Sequence, residues 1–139
     1  MRVRITREKI EIDGKSVSYY PYYFDQWWNE EAEDRLVVVK KVVARWADEL
    51  DKAEEDRTLY LPYSLDDEAV ECFQAQVRGE EVVFRCVEVK CNGYAIDLNG
   101  LGEFIVYPHE LWSGRPEAFG TYNKPALVSA LRNADAGDA

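Results

Sequence analysis

The side chains of this 139-residue chain that could do chemistry are three cysteines, one histidine and 27 carboxylates. The cysteines are Cys72, Cys86 and Cys91, and the histidine is His109. A structural zinc site would need all four to converge, since a closed tetrahedral site takes four N/S ligands. Cys86 and Cys91 lie an odd number of residues apart on one expected strand and face opposite ways unless a bulge intervenes. They read instead as buried small hydrophobes. A Cys–His nucleophile pair needs a thiolate in electropositive surroundings, and this chain carries a net charge of −10. No serine sits in a G-x-S-x-G turn. "NGLGEF" holds Gly100 and Gly102 but lacks the third glycine and joins strands, so it cannot cradle a phosphate. "DLNG" at 97–100 begins like a calcium loop, then places its glycine too early. Asp66, Asp67, Glu68 and Glu71 cluster, but a glycosidase needs its two acids across a cleft, and in so acidic a chain a pair tells nothing. The expectation is a protein without catalytic residues, cofactor or metal.

The stretch "YYPYYFDQWWNEEAED" (19–34) offers binding rather than catalysis. Tyr19, Tyr23, Phe24 and Trp28 fit a core. Tyr20 and Tyr22 lie on the alternate face of the strand, and Trp27 lies on the side of the following helix shared with Glu31, Asp34 and Val38. These three rings stand beside Asp25, Glu30, Glu31, Glu33 and Asp34, with no base before Arg35. Rigid aromatic anchors inside a charged rim have the composition of a protein-binding hot spot. The sign of the rim selects a basic partner and speeds encounter. The candidate partner-binding set is therefore Tyr20, Tyr22, Asp25, Trp27, Glu30, Glu31, Glu33 and Asp34.

The elements that must position this set follow from turn chemistry and periodicity. Asp13-Gly14 between alternating runs predicts a hairpin pairing Ile12 with Lys15, Ile10 with Val17 and Glu8 with Tyr19. Val3 and Ile5 are expected on the face of Tyr20, Tyr22 and Phe24, after a bulge or an end of pairing near Thr6 to Lys9. Trp28, Ala32, Leu36, Val39, Val43, Trp46, Leu50 and Ala53 form one stripe, which predicts a single helix over 25–56 with Asp48 paired to Lys52. A second acidic run, "DELDKAEED" (48–56), ends that helix against its macrodipole, so some other factor must tolerate it. "TLYLPY" (58–63) is a strand whose Pro62 suggests an edge or an end. Gly79-Glu80 predicts a second hairpin, pairing Phe73, Ala75 and Val77 with Cys86, Phe84 and Val82. The apolar phase slips at Cys86-Val87, where a bulge is expected. Asn92-Gly93 makes a third turn, Phe104 and Val106 return along the sheet, 113–124 is loop, and "KPALVSALRN" is a short helix with Pro125 at its first position.

Length fits one domain, expected over 1–134 with a frayed tail at 135–139. The fold class is α+β: an antiparallel sheet of about five to seven strands, an N-terminal hairpin plus a C-terminal meander, with one long helix packed on it. At 47% hydrophobic and 32% charged residues, the composition is globular rather than disordered. The acidic balance disfavours nucleic acid and anionic membranes, which demand a basic face. No run approaches the roughly 20 apolar residues of a membrane helix, no secretory signal is visible, and an odd number of cysteines fits reduced thiols in a cytoplasm. The combined expectation is a cytoplasmic, non-enzymatic protein that binds a basic protein partner, the class to which small acidic immunity and inhibitor proteins belong. The alternatives are a small enzyme or ligand-binding domain with a pocket near His109, and an acidic mimic of DNA.

Overall fold

Asp13 and Gly14 both adopt positive φ, 48° and 86°. This is the type I′ turn that the Asp-Gly pair anticipates, and its twist matches that of the flanking strands. It joins β2 (Lys9–Ile12) to β3 (Lys15–Ser18) in the expected register, Ile12 opposite Lys15 and Ile10 opposite Val17. The Tyr19 amide continues the ladder onto the Glu8 carbonyl at 3.1 Å. The computed structural model describes residues 1–19, 35–65, 69–90 and 110–137.

The end of pairing expected near Thr6 to Lys9 is observed, and the chain before it folds back. Val3–Ile5 does not extend β2; it is a separate strand, β1, folded back antiparallel with Val3 opposite Ile12 and Ile5 opposite Ile10. Thr6 to Lys9 make the turn, closed by the Thr6 amide on the Lys9 carbonyl at 2.9 Å. Folding back stacks Val3, Ile5, Ile10 and Ile12 on one buried face, all 2% exposed or less. The same sheet gains β8, Asp135–Ala136, parallel to β1 with Arg4 opposite Asp135. Those two residues, assigned to the tail from sequence, are held by the Gly137 amide on the Ile5 carbonyl at 3.0 Å. The first sheet is thus ordered β3-β2-β1-β8.

A second four-stranded sheet, ordered β4-β5-β6-β7, is built from β4 (Thr58–Leu65), β5 (Ala69–Arg78), β6 (Glu81–Lys90) and β7 (Glu110–Asn123). The β5–β6 hairpin has the expected register, Phe73 opposite Cys86, Ala75 opposite Phe84 and Val77 opposite Val82. Gly79 takes φ +61°, as the first central residue of a type II′ turn requires. Pro62 lies in β4, an edge strand, where a missing amide proton costs least. Residues 113–123, expected as loop, belong to β7. Their Gly114, Pro116 and Gly120 weaken the strand signal, but β7 is the other edge, and its register against β6 shifts at three places. Gly120 is required by packing: a Cβ there would meet the Tyr122 hydroxyl at 2.5 Å.

The slip expected at Cys86-Val87 has a different cause on the β5 side. Pairing of β5 with β6 runs unbroken from Ala69–Lys90 to Arg78–Glu81. Instead both strands change their buried side together, from Phe73 and Phe84 to Val70, Cys72, Val87 and Val89, all 8% exposed or less. The irregularity near Cys86 falls between β6 and β7.

Two helices accompany the sheets among the described residues. Within the expected 25–56, the described helix is α1, Arg35–Lys52, and it stops four residues short of 56. Of the predicted stripe, Val39, Val43, Trp46 and Leu50 are 2% exposed or less, Leu36 and Ala53 are half-buried with Ala53 just past the helix, and Trp28 and Ala32 lie outside the described residues; Val38, Val42 and Ala47 widen the buried face. The second helix, α2 (Lys124–Arg132), starts with Asn123 accepting from the Ala126 amide at 3.0 Å and Pro125 in its first turn. Among the described residues the α+β fold is therefore two antiparallel-rich sheets and two helices, rather than one larger sheet under a single helix. One core joins both sheets and both helices.

Phe73 is the hub of that core. Trp46, Phe84, Tyr63 and Phe119 surround it with ring centroids at 5.8, 4.9, 4.8 and 4.7 Å. Tyr63 and Phe119 reach it because each is the extra residue of a bulge. Pro62 and Ser64 pair with adjacent residues of β5, and Ala118 and Gly120 with adjacent residues of β6. Trp46 Nε1 donates to the Pro62 carbonyl at 3.1 Å, so the indole is both buried and satisfied. Replacing Trp46 by Ala is expected to cost ~3–5 kcal/mol. Trp46→Phe keeps most of the apolar contact but strands the Pro62 carbonyl, a loss of ~1–3 kcal/mol. Urea unfolding of the three proteins measures both, with the m-value unchanged.

Candidate functional site

All eight residues of the candidate partner-binding set, Tyr20, Tyr22, Asp25, Trp27, Glu30, Glu31, Glu33 and Asp34, lie outside the described residues, as do Cys91, His109 and the acids at 66–68. Tyr19, the first ring of the block, is in the core as expected. It is 4% exposed and its hydroxyl donates to the Thr6 carbonyl at 2.6 Å. Val38, on the helix side assigned to Trp27, is fully buried. Among the described residues no three His, Cys, Asp or Glu side chains could hold a metal. Cys72 and Cys86 are not joined by a disulfide. They occupy neighbouring strands one rank apart, Cys72 opposite Val87 and Phe73 opposite Cys86, so they leave opposite faces of the sheet. No described helix is long and apolar enough to cross a membrane.

The second acidic run, at the end of α1, is described in full. Asp48, Asp51, Glu54, Glu55 and Asp56 are all exposed. The expected Asp48–Lys52 pair does not form: Lys52 turns to Glu49 at 3.3 Å, and Asp48 is taken by Arg132 of α2. A single guanidinium nitrogen of Arg132 spans Asp48 at 3.2 Å and Asp51 at 3.3 Å, which raises the Arg132 pKa further through the bonds to Asp48 and then Asp51. Lys124, at the other end of α2, donates to the Ala53 carbonyl at 2.7 Å. A cation on the terminal carbonyls and another on the last-turn acids offset the unfavourable meeting of acid and macrodipole. This is the factor that tolerates the run. Sequence reasoning missed both residues, although Lys124 and Arg132 are the only bases after Arg115.

A thiol–phenol pair is the other polar feature near the core. Tyr63 is 6% exposed and its hydroxyl bonds to the half-buried Cys86. Burial pushes the Cys86 thiol up, the Tyr63 hydrogen bond opposes this, and Glu117 and Glu71 reinforce it. The Tyr63 phenol is itself raised, above all by burial. A thiol raised in this way is a poor nucleophile at neutral pH. The pair is a packing contact at the rim of the Phe73 cluster.

Comparison with protein-family models, with curated proteins and with solved structures finds no match for this chain.

The Cys86 environment predicts a pH profile. Alkylation of Cys86 by iodoacetamide, followed by peptide mass mapping, should have a midpoint above that of an unhindered thiol. Tyr63→Phe removes the one neighbour that favours the thiolate, so the midpoint should move higher still. A midpoint that falls would show that the hydroxyl does not donate to the sulfur.

Proposed function

We propose that this protein binds a basic protein surface and masks it, as small acidic inhibitor and immunity proteins do. The observation that carries the reading is the distribution of charge. The net charge is −10, and no polar or charged residue is buried among the described residues, so the charges described there lie where a partner can meet them. Acids flank α1 in sequence, at 30–34 before it and at 48–56 across its end. Between them its buried stripe fixes the helix to the core through Val39, Val43, Trp46 and Leu50. The reading takes Tyr20, Tyr22 and Trp27 as anchors and Asp25, Glu30, Glu31, Glu33 and Asp34 as the rim that selects and steers a basic partner.

The test is capture from the native host, at low and at high salt, by the wild-type chain and by a variant with Glu30, Glu31, Glu33 and Asp34 changed to Lys. One stoichiometric basic protein is expected on the wild type, released as salt rises because the attraction is screened, and absent from the variant. Trp27→Ala should weaken the same complex by about 2 kcal/mol, roughly thirty-fold, as loss of an aromatic anchor does. Circular dichroism of both variants checks that the fold persists. A partner that binds the reversed variant equally well, or one that is itself acidic, would overturn the reading.

A further inference from the structure

A groove of about 460 Å³ opens between the last turn of α1, the β5–β6 turn and α2. This lies within the range of roughly 300–1,000 Å³ typical of ligand sites. Pro125 and Val128 give it apolar surface, and Asp51, Glu80, Ser129 and Asn133 supply its polar lining. The hydrogen-bonding inventory is one-sided. Both cations of the groove are already engaged, Lys124 on the Ala53 carbonyl and Arg132 on Asp48 and on Asp51 of the groove lining. The amides at the start of α2 are engaged too: that of Lys124 on the Glu80 carbonyl at 2.6 Å and that of Ala126 on Asn123 at 3.0 Å, with none on Pro125. An anion would find no ready donor among them.

Acceptors remain. The Glu80 carboxylate makes no hydrogen bond or ion pair with any described residue. Asn133 gives its Nδ2 to the Ser129 carbonyl at 2.8 Å, which leaves its oxygen and the Ser129 hydroxyl to accept. Asp48 and Asp51 share one guanidinium, and with Glu80 the acids around the groove outnumber its two cations, Arg132 and Lys124, by a single charge. Acceptors and excess negative charge over an apolar floor fit a cation with a long apolar stem.

We propose that this groove receives an arginine side chain of the basic partner, its stem on Pro125 and Val128 and its guanidinium on Glu80. The inference rests on the partner reading above and names a contact for it. Arginine suits the groove because a planar fork of donors can engage a carboxylate with two bonds while its stem covers apolar surface.

The experiment is a ¹⁵N–¹H titration of the intact chain with acetyl-arginine amide. Saturable shifts are expected at Gly79, Ser129 and Asn133. Glu80→Gln, which keeps the backbone carbonyl that Lys124 uses, should weaken binding about tenfold, the loss of one charge-assisted bond. Glu8→Gln removes the same charge far from the groove and should leave the affinity unchanged. Shifts that do not saturate, or equal weakening by both variants, would mean that only a diffuse field acts and would overturn the groove. The two readings fail separately. A flat arginine titration beside normal capture of a basic protein removes the groove alone. Saturable arginine binding with no basic protein captured leaves the groove and removes the masking function.

Discussion

Three backbone carbonyls at places where regular structure breaks hold this fold in its arrangement. Pro62 stands at the bulge of β4, Phe119 at the bulge of β7 and Ala53 just beyond α1. Each is met by a donor from a distant element: the Trp46 indole at 3.1 Å, the Lys15 ammonium at 2.6 Å and the Lys124 ammonium at 2.7 Å. A carbonyl taken from water without a partner costs ~1–3 kcal/mol, so these contacts restrict where the elements can sit. The first seats α1 on the second sheet, the second docks the β2–β3 hairpin on β7, and the third sets α2 against the end of α1. The two bulges also aim Tyr63 and Phe119 at Phe73, so hydrogen bonding and aromatic packing are satisfied by the same two irregularities. The hairpin leaves an electrostatic mark as well: burial, then the charge of Asp13, push the Tyr122 phenol up to about 12.

The end of α1 shows how an unfavourable local sequence is made tolerable by packing. Acids in the last turn of a helix oppose its dipole, and an isolated peptide of this sequence would fray there. Here α2 lies across that end and brings one cation to each problem, Lys124 to the carbonyls and Arg132 to the carboxylates. The ion pairs of Arg132 are exposed and contribute little stability individually. Their consequence is arrangement: they engage the cations and leave Glu80 without a described partner. The acidic character of this end is thereby reduced in charge but retained at the surface.

Much of the fold was legible locally. Asp13-Gly14 and Gly79-Glu80 predicted their hairpins to the residue, because a two-residue loop leaves one register open. The α1 stripe survived β-branched residues that favour strand, because apolar burial at helical spacing outweighs propensity. Pro62 correctly marked an edge. What escaped was non-local. Nothing within Val3–Ile5 says that it turns back on β2 rather than running into it; that depends on four aliphatic side chains sharing one buried face. The weak signal of β7, broken by glycines and a proline, becomes a strand only because β6 offers it a partner. The two residues of β8 are strand only because β1 is beside them. The candidate partner-binding residues were chosen from composition and phase, and they lie outside the described residues.

The sequence by itself determined the turns, the helical stripe, the residue types of the core and the sign of the surface charge. Each is a property of a few neighbouring residues or of a sum over the whole chain. Only the tertiary structure decided that the eight described strands divide into two sheets, that β5 and β6 switch their buried side together, and that α2 brings Lys124 and Arg132 to the end of α1. Those outcomes depend on which distant groups must share one core and satisfy one another's carbonyls and charges, and no window of adjacent residues contains that information.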